Sequence, residues 1–132
     1  KLSKKLKVDT HVHFLLGRND VPYFIAGCDI LLHPARSENT GTVILEALVG
    51  GLPEIVSREC GYSQYVNIAN TGYVIEKPFN QENYTIKLKQ ALENKKLETW
   101  SRNARFYADN NDLYSLIEKA AKIILAADLE AT

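Results

Sequence analysis

The chain has no methionine, one tryptophan and only two cysteines in 132 residues. Cys28 and Cys60 lie 32 positions apart with no CxxC pair, which gives no disulfide scaffold and no zinc-finger spacing. Both sit beside apolar or turn residues and are expected to be reduced, buried or half-buried thiols of a cytosolic protein. An excess of one charge is also missing, with 16 Lys plus Arg against 16 Asp plus Glu. Up to Lys77 and again after it, each sign occurs eight times. A dedicated nucleic-acid binder needs a phosphate-neutralising surplus, so the balance argues against that class. The one local surplus, Lys1, Lys4, Lys5 and Lys7, reads as a solvated chain end. No apolar run approaches the ~20 residues that span a bilayer, and no apolar segment follows the first lysines as a secretory signal would. The chain opens without a starting Met, which predicts a piece of a longer protein.

What is present is a globular composition, 45% hydrophobic, in which short β-rich runs alternate with helical ones. His11–Leu16 reads as a strand ending at Gly17. Asp20 is expected to cap a short helix through Ala26, with Pro22 in its first turn. Asp29–His33 is a continuous apolar run, as expected of a parallel strand covered on both faces. A polar loop, Pro34–Thr40, leads to a helix over Gly41–Gly50 closed by Gly50–Gly51. Glu54–Ser57 is a further strand, Cys60–Asn67 a turn region, and Gly72–Ile75 a short strand. Asn80 caps a helix with Tyr84, Leu88, Ala91 and Leu92 on one face. Glu98–Asn110 is a second helix carrying Trp100, Ala104 and Tyr107. Asp112 caps a third, with Leu113, Leu116, Ile117, Ala120, Ala121 and Ile124 as its apolar face. The aromatics Tyr84, Trp100, Phe106, Tyr107 and Tyr114 read as core and helix packing.

The alternation predicts an α/β fold, a partial Rossmann-like parallel sheet of about four strands with flanking helices and a C-terminal helical segment. Residues 1–132 are expected to form a single partial domain that lacks the first strand–helix units of a doubly wound sheet.

The informative stretch runs from His33-Pro34 through Glu38-Asn39-Thr40-Gly41-Thr42-Val43 to Glu46. It leads from the carboxyl end of a buried strand into a helix, where open α/β sheets bind ligands. The amides of Thr40 to Val43 face outward at the helix start and, with the helix dipole, suit an anion such as a diphosphate. Glu38 and Glu46 flank that site with seven residues between them. Carboxylates repel phosphate but accept hydrogen bonds from sugar hydroxyls, about 1.5–3 kcal/mol each. One on each side of a diphosphate matches a nucleoside diphosphate sugar. Read singly, Glu38 is a first-turn acid complementing the dipole and Glu46 a solvated helix residue. His11 and His13 share a strand face but have no third ligand, so a metal site is not expected. His33 reads either as a group near the sugar or as a histidine beneath the loop.

The stretch HPARSENTGTVILEALVGGLP resembles the E-x7-E signature of retaining GT-B glycosyltransferases. With CGYSQYV, PFNQENYTIKL and DNNDLYSLIEKAAKII it is similar to the C-terminal part of the lipopolysaccharide core glucosyltransferase I group. The resemblance implies a metal-independent donor-binding part that holds UDP-glucose and needs no cofactor. It makes Glu38 the catalytic-site glutamate on the donor sugar's hydroxyls, with amides of Asn39, Thr40 and Gly41 beside it. Thr42 and Val43 then lie near the diphosphate, Glu46 holds the ribose, and Arg18 lines the uracil pocket. It implies transfer to an inner-core heptose of lipopolysaccharide, held by an N-terminal domain outside this chain. The expected location is cytoplasmic, or peripheral on the inner face of the bacterial inner membrane. The lone chain is expected to be inactive and prone to self-association through its sheet edges. Two other classes remain open on the residues alone: a non-catalytic nucleotide or phospho-ligand binding module, and a protein-interaction domain. Glu54 stands out, because a charge opens a buried strand where the family has an aliphatic residue.

Overall fold

A computed structural model describes residues 1–93, 95–115 and 118–123. The elements are α1 (Leu2–Lys5), a 3-10 turn (Asp9–His11), α2 (Val21–Gly27), β1 (Leu31–His33), α3 (Thr42–Val49) and β2 (Glu54–Ser57). They continue with α4 (Ser63–Ile68), β3 (Gly72–Ile75), α5 (Gln81–Glu93) and α6 (Leu97–Asn110). The three strands form one parallel sheet in the order β1-β2-β3, with Leu31 paired to Glu54 and Glu54 to Gly72.

The central strand is buried at all four positions because helices cover both its faces. On one face Ile55 and Ile75 pack with Tyr84 and Ala91 of α5 and Trp100 of α6. On the other, Val56 packs with Ile44 of α3, Cys60 and Val66 of α4. A third cluster, Leu48, Ala69 and Ala104, joins α3 to α6. The stripe Ile44, Ala47 and Leu48 is completely buried. The closure of α3 is the expected glycine one: Leu52 N–H donates to Ala47 C=O at 2.8 Å and Gly51 N–H to Leu48 C=O at 3.1 Å. Asn80 caps α5 through its Oδ1, which accepts from Asn83 N–H at 2.8 Å.

Several expectations are corrected. The sheet has three strands, because His11–Leu16 forms none: after the 3-10 turn it is unpaired, with Phe14 78% and Leu16 90% exposed. A strand exists only through a neighbour's ladder, and the described residues offer it none. The shared strand face of His11 and His13 lapses with it. As the sheet edge, β1 is half-covered, and Leu32 is 41% exposed. The expected turn region contains α4, a helix of weak local propensity held by the burial of Val66. Asp20 gives α2 no side-chain cap. Cys28 is exposed, and both cysteines are free thiols. Leu92, Phe106 and Tyr114 are exposed, because each lies off the stripe that its helix or segment turns to the core. Ser115 N–H donates to Asp112 Oδ1 at 3.0 Å, the expected cap, and Ala120 and Ala121 are exposed. Leu116, Ile117 and Ile124 of the expected third apolar face lie outside the described residues. Among the described residues no helix is long and apolar enough to cross a membrane.

Candidate functional site

The site begins where β1 ends, and the loop that follows is pinned from the neighbouring strand. The Ser57 hydroxyl at the end of β2 donates to Ala35 C=O at 2.5 Å. Beyond it, Gly61 N–H donates to Asn39 C=O at 3.2 Å and Tyr62 N–H to Thr40 C=O at 2.9 Å. A Cβ on Gly61 would lie 2.6 Å from that Asn39 oxygen, so the two loops meet this closely only without a side chain there. The Cys60-Gly61-Tyr62 segment is thus a clamp on the Glu38–Thr40 backbone.

Gly41 takes the left-handed conformation, φ 71°, and starts α3 with no side-chain cap. Ile44 N–H turns back to Gly41 C=O at 3.0 Å. The amides of Thr42 and Val43 precede it in the first turn, where a helix supplies no acceptor of its own. With the dipole they make a positive helix end free to meet an anion. Glu38 folds back over Gly41: its Cγ lies 3.5 Å from where a Cβ would stand. Its Oε1 accepts from Asn39 N–H at 3.1 Å, and its Oε2 lies 3.7 Å from His33 Nε2. Burial pushes the Cys60 thiol up, the Ser57 hydroxyl acts against this, and the Glu38 and Glu59 charges add to it.

Glu46 is exposed and opens on a cleft of about 240 Å³ shared with Pro22, Ile25, Val49, Gly50 and Tyr114. The Tyr114 phenol is pushed up, first by burial and then by the Glu46 charge. Glu38 does not line this cleft. The structure therefore gathers His33, Glu38, Asn39 and Gly41 at the helix start, with Thr42 and Val43 in its first turn. Glu46 stands about 7 Å further along the helix axis. Arg18 is engaged elsewhere: its Nε and Nη2 each donate to Asp20 at 2.7 Å, and its guanidinium lies 4.9 Å from the Phe24 ring centroid. That ion pair also explains the missing cap on α2. Among the described residues no group of three His, Cys, Asp or Glu gathers as metal ligands.

Sequence reasoning missed the clamp made by Ser57 and Gly61, and it missed the apolar wall that Pro22, Ile25 and Tyr114 give Glu46. The signal for the first was the CGY segment following a strand end. The second had none, because its residues come from three separate segments.

The sequence profile of the family described as Glycosyl transferases group 1 matches residues 1–107. The chain belongs to this family. It is 51% identical over 124 residues to the lipopolysaccharide glucosyltransferase WaaG of Escherichia coli K12, covering 93% of this chain and 33% of that protein. It is 33% identical over 76 residues to an N-acetyl-alpha-D-glucosaminyl L-malate synthase of Bacillus anthracis, covering 58% of this chain and 20% of that one. The crystal structure of WaaG, a glycosyltransferase involved in lipopolysaccharide biosynthesis, superposes with a TM-score of 0.87, covering 93% of this chain and 34% of that one. Anabaena HepE in complex with UDP superposes with a TM-score of 0.74 at 25% identity, covering 94% of this chain and 35% of that one. The chain thus spans about a third of the WaaG length, and its three-stranded α/β unit is part of a GT-B glycosyltransferase fold.

Proposed function

We propose that this group 1 chain is the donor-binding part of a retaining glycosyltransferase that moves glucose from UDP-glucose to an inner-core heptose of lipopolysaccharide. The carrying observation is the uncapped start of α3 with the Glu38 side chain packed against Gly41 at its N-terminus. The identity to WaaG and the UDP bound by HepE support the choice of donor.

In this reading the donor lies across the first turn of α3. The amides of Thr42 and Val43 and the helix dipole stabilise the diphosphate, a role for which the family resemblance implies no metal ion. Those fixed dipoles favour the charge that grows on the leaving UDP as the glycosidic bond breaks. Glu38, Asn39, Thr40 and Gly41 hold the sugar, with Glu38 accepting from its hydroxyls and sharing the positive charge of the transition state. A donor phosphate oxygen takes the acceptor hydroxyl's proton, and Glu38 is not the nucleophile. Glu46 accepts from the ribose hydroxyls at the mouth of its cleft. Arg18 reaches the uracil only by leaving Asp20. The acceptor is bound by residues outside 1–132, and the protein acts at the cytoplasmic side of the membrane.

Calorimetry of the longer protein that contains this chain, with UDP and UDP-glucose, tests the reading. Both ligands are expected to bind, and Glu46→Ala to weaken UDP about tenfold by losing one charge-assisted contact. Absence of heat with UDP overturns the reading and leaves a protein-interaction domain. In the longer protein that contains this chain, UDP-glucose binding without donor turnover leaves a non-catalytic binding module.

A further inference from the structure

The carboxyl end of β1 carries a polar atom that the donor site has not used. His33 Nε2 is sealed from solvent and has no hydrogen-bond partner. Burying such an atom costs free energy unless a partner is found. Glu38 Oε2 stands 3.7 Å away, beyond hydrogen-bond length yet with nothing more than a small closure needed. The other oxygen of the same carboxylate is already held by Asn39 N–H at 3.1 Å. His33 itself is set by its ladder register against Val56 and by Pro34 behind it.

Resting on the donor-site reading, we infer that His33 is a positioning residue, whose Nε2–H closes onto Glu38 Oε2 when a donor sugar covers the carboxylate. Each oxygen then has one fixed donor, Asn39 N–H on Oε1 and His33 on Oε2. Each keeps a second lone pair for a sugar hydroxyl. The imidazole thereby decides how the carboxylate faces the sugar and leaves the nucleotide untouched. A histidine that merely packs beneath the loop would affect both parts of the donor alike.

Calorimetry of the longer protein that contains this chain, with UDP and, separately, UDP-glucose, distinguishes the two. His33→Leu is expected to weaken UDP-glucose about tenfold and to leave UDP within about twofold. His33→Gln places an amide N–H where Nε2 stood, and is expected to retain UDP-glucose affinity. On a Glu38→Ala background, His33→Leu is expected to cost nothing further, because its partner is gone. Equal loss of UDP and UDP-glucose in His33→Leu, no rescue by His33→Gln, or additive losses in the double variant would each overturn the role of His33. A wild-type chain that binds UDP but gains nothing measurable from Glu38 overturns it as well. A wild-type longer protein that binds neither ligand overturns the donor-site reading itself, and does so before any variant is made.

Discussion

Glu54 is the residue whose chemistry is most at odds with its place. It opens the central strand, is completely buried, and neither carboxylate oxygen has a hydrogen-bond partner. Alternation along β2 puts it on the face of Val56, which packs into the apolar cluster beneath α3 and α4. Its backbone N–H is satisfied by Thr71 C=O at 3.1 Å, but the Thr71 hydroxyl is buried and unpartnered too. Burial therefore holds the Glu54 carboxyl well above its ordinary value of 4.5. Between that value and the raised one, the folded chain keeps a proton that the unfolded chain has released. The stability Glu54 allows is thus full below about pH 4.5 and is lost as pH rises through the raised value. Glu54→Val is expected to stabilise the chain by about 1–3 kcal/mol at neutral pH and to flatten this slope. Urea denaturation of both proteins at about pH 5 and about pH 8 measures it. A wild-type chain as stable at the higher pH as at the lower would contradict the buried, protonated state. The sequence alone marked Glu54 as out of place. The absence of a partner was visible only in three dimensions.

At the scale of elements, the site depends on one loop held by another. The backbone of Glu38–Thr40 keeps its course because Ser57, Gly61 and Tyr62 hold it from the end of β2. Gly61→Ala would put a Cβ 2.6 Å from Asn39 O and drive the loops apart. The expected result is a UDP-glucose affinity lower by about tenfold, with a stability loss of about 1–2 kcal/mol. Calorimetry and denaturation on one preparation measure both, and an unchanged affinity would show that the clamp does not shape the sugar site. Elements with strong local signals were legible beforehand: α3 by its apolar stripe and double glycine, α5 by Asn80, and β2 and β3 by their short apolar runs. The helix α4 was not. Six residues, of which Val66 and Ile68 are β-branched and Asn67 is a weak helix former, make a weak helix alone, and burial of Val66 decides the matter.

For the molecule as a whole, the telling feature is what covers β1. Its inner side is paired to β2, while no described strand lies along its outer side. The run 12–16 is exposed and unpaired, although its alternating apolar side chains suit a strand. An open strand edge and exposed apolar side chains such as Phe14 and Leu16 each invite association with another chain. The 132-residue chain is expected to self-associate in a concentration-dependent way, and a Phe14→Lys, Leu16→Lys double variant to shift it toward monomer. Sedimentation velocity across a concentration series reads this, and a single monomeric boundary throughout would remove the expectation.

Local sequence was enough for the α/β class, the order of most elements and the helix that starts after Gly41. These follow from side-chain periodicity, glycine closure and the free amides of a first turn, none of which needs a distant neighbour. Tertiary structure alone decided that 11–16 stays unpaired, that Arg18 is spent on Asp20, and that Glu46 faces an apolar cleft with Tyr114. It alone brought His33 to Glu38 and sealed Glu54 without a partner. The Arg18–Asp20 and His33–Glu38 approaches are short in sequence, yet which neighbour each side chain takes, like the burial of Glu54 and the Glu46–Tyr114 cleft, depends on packing and distance that no stretch of sequence contains.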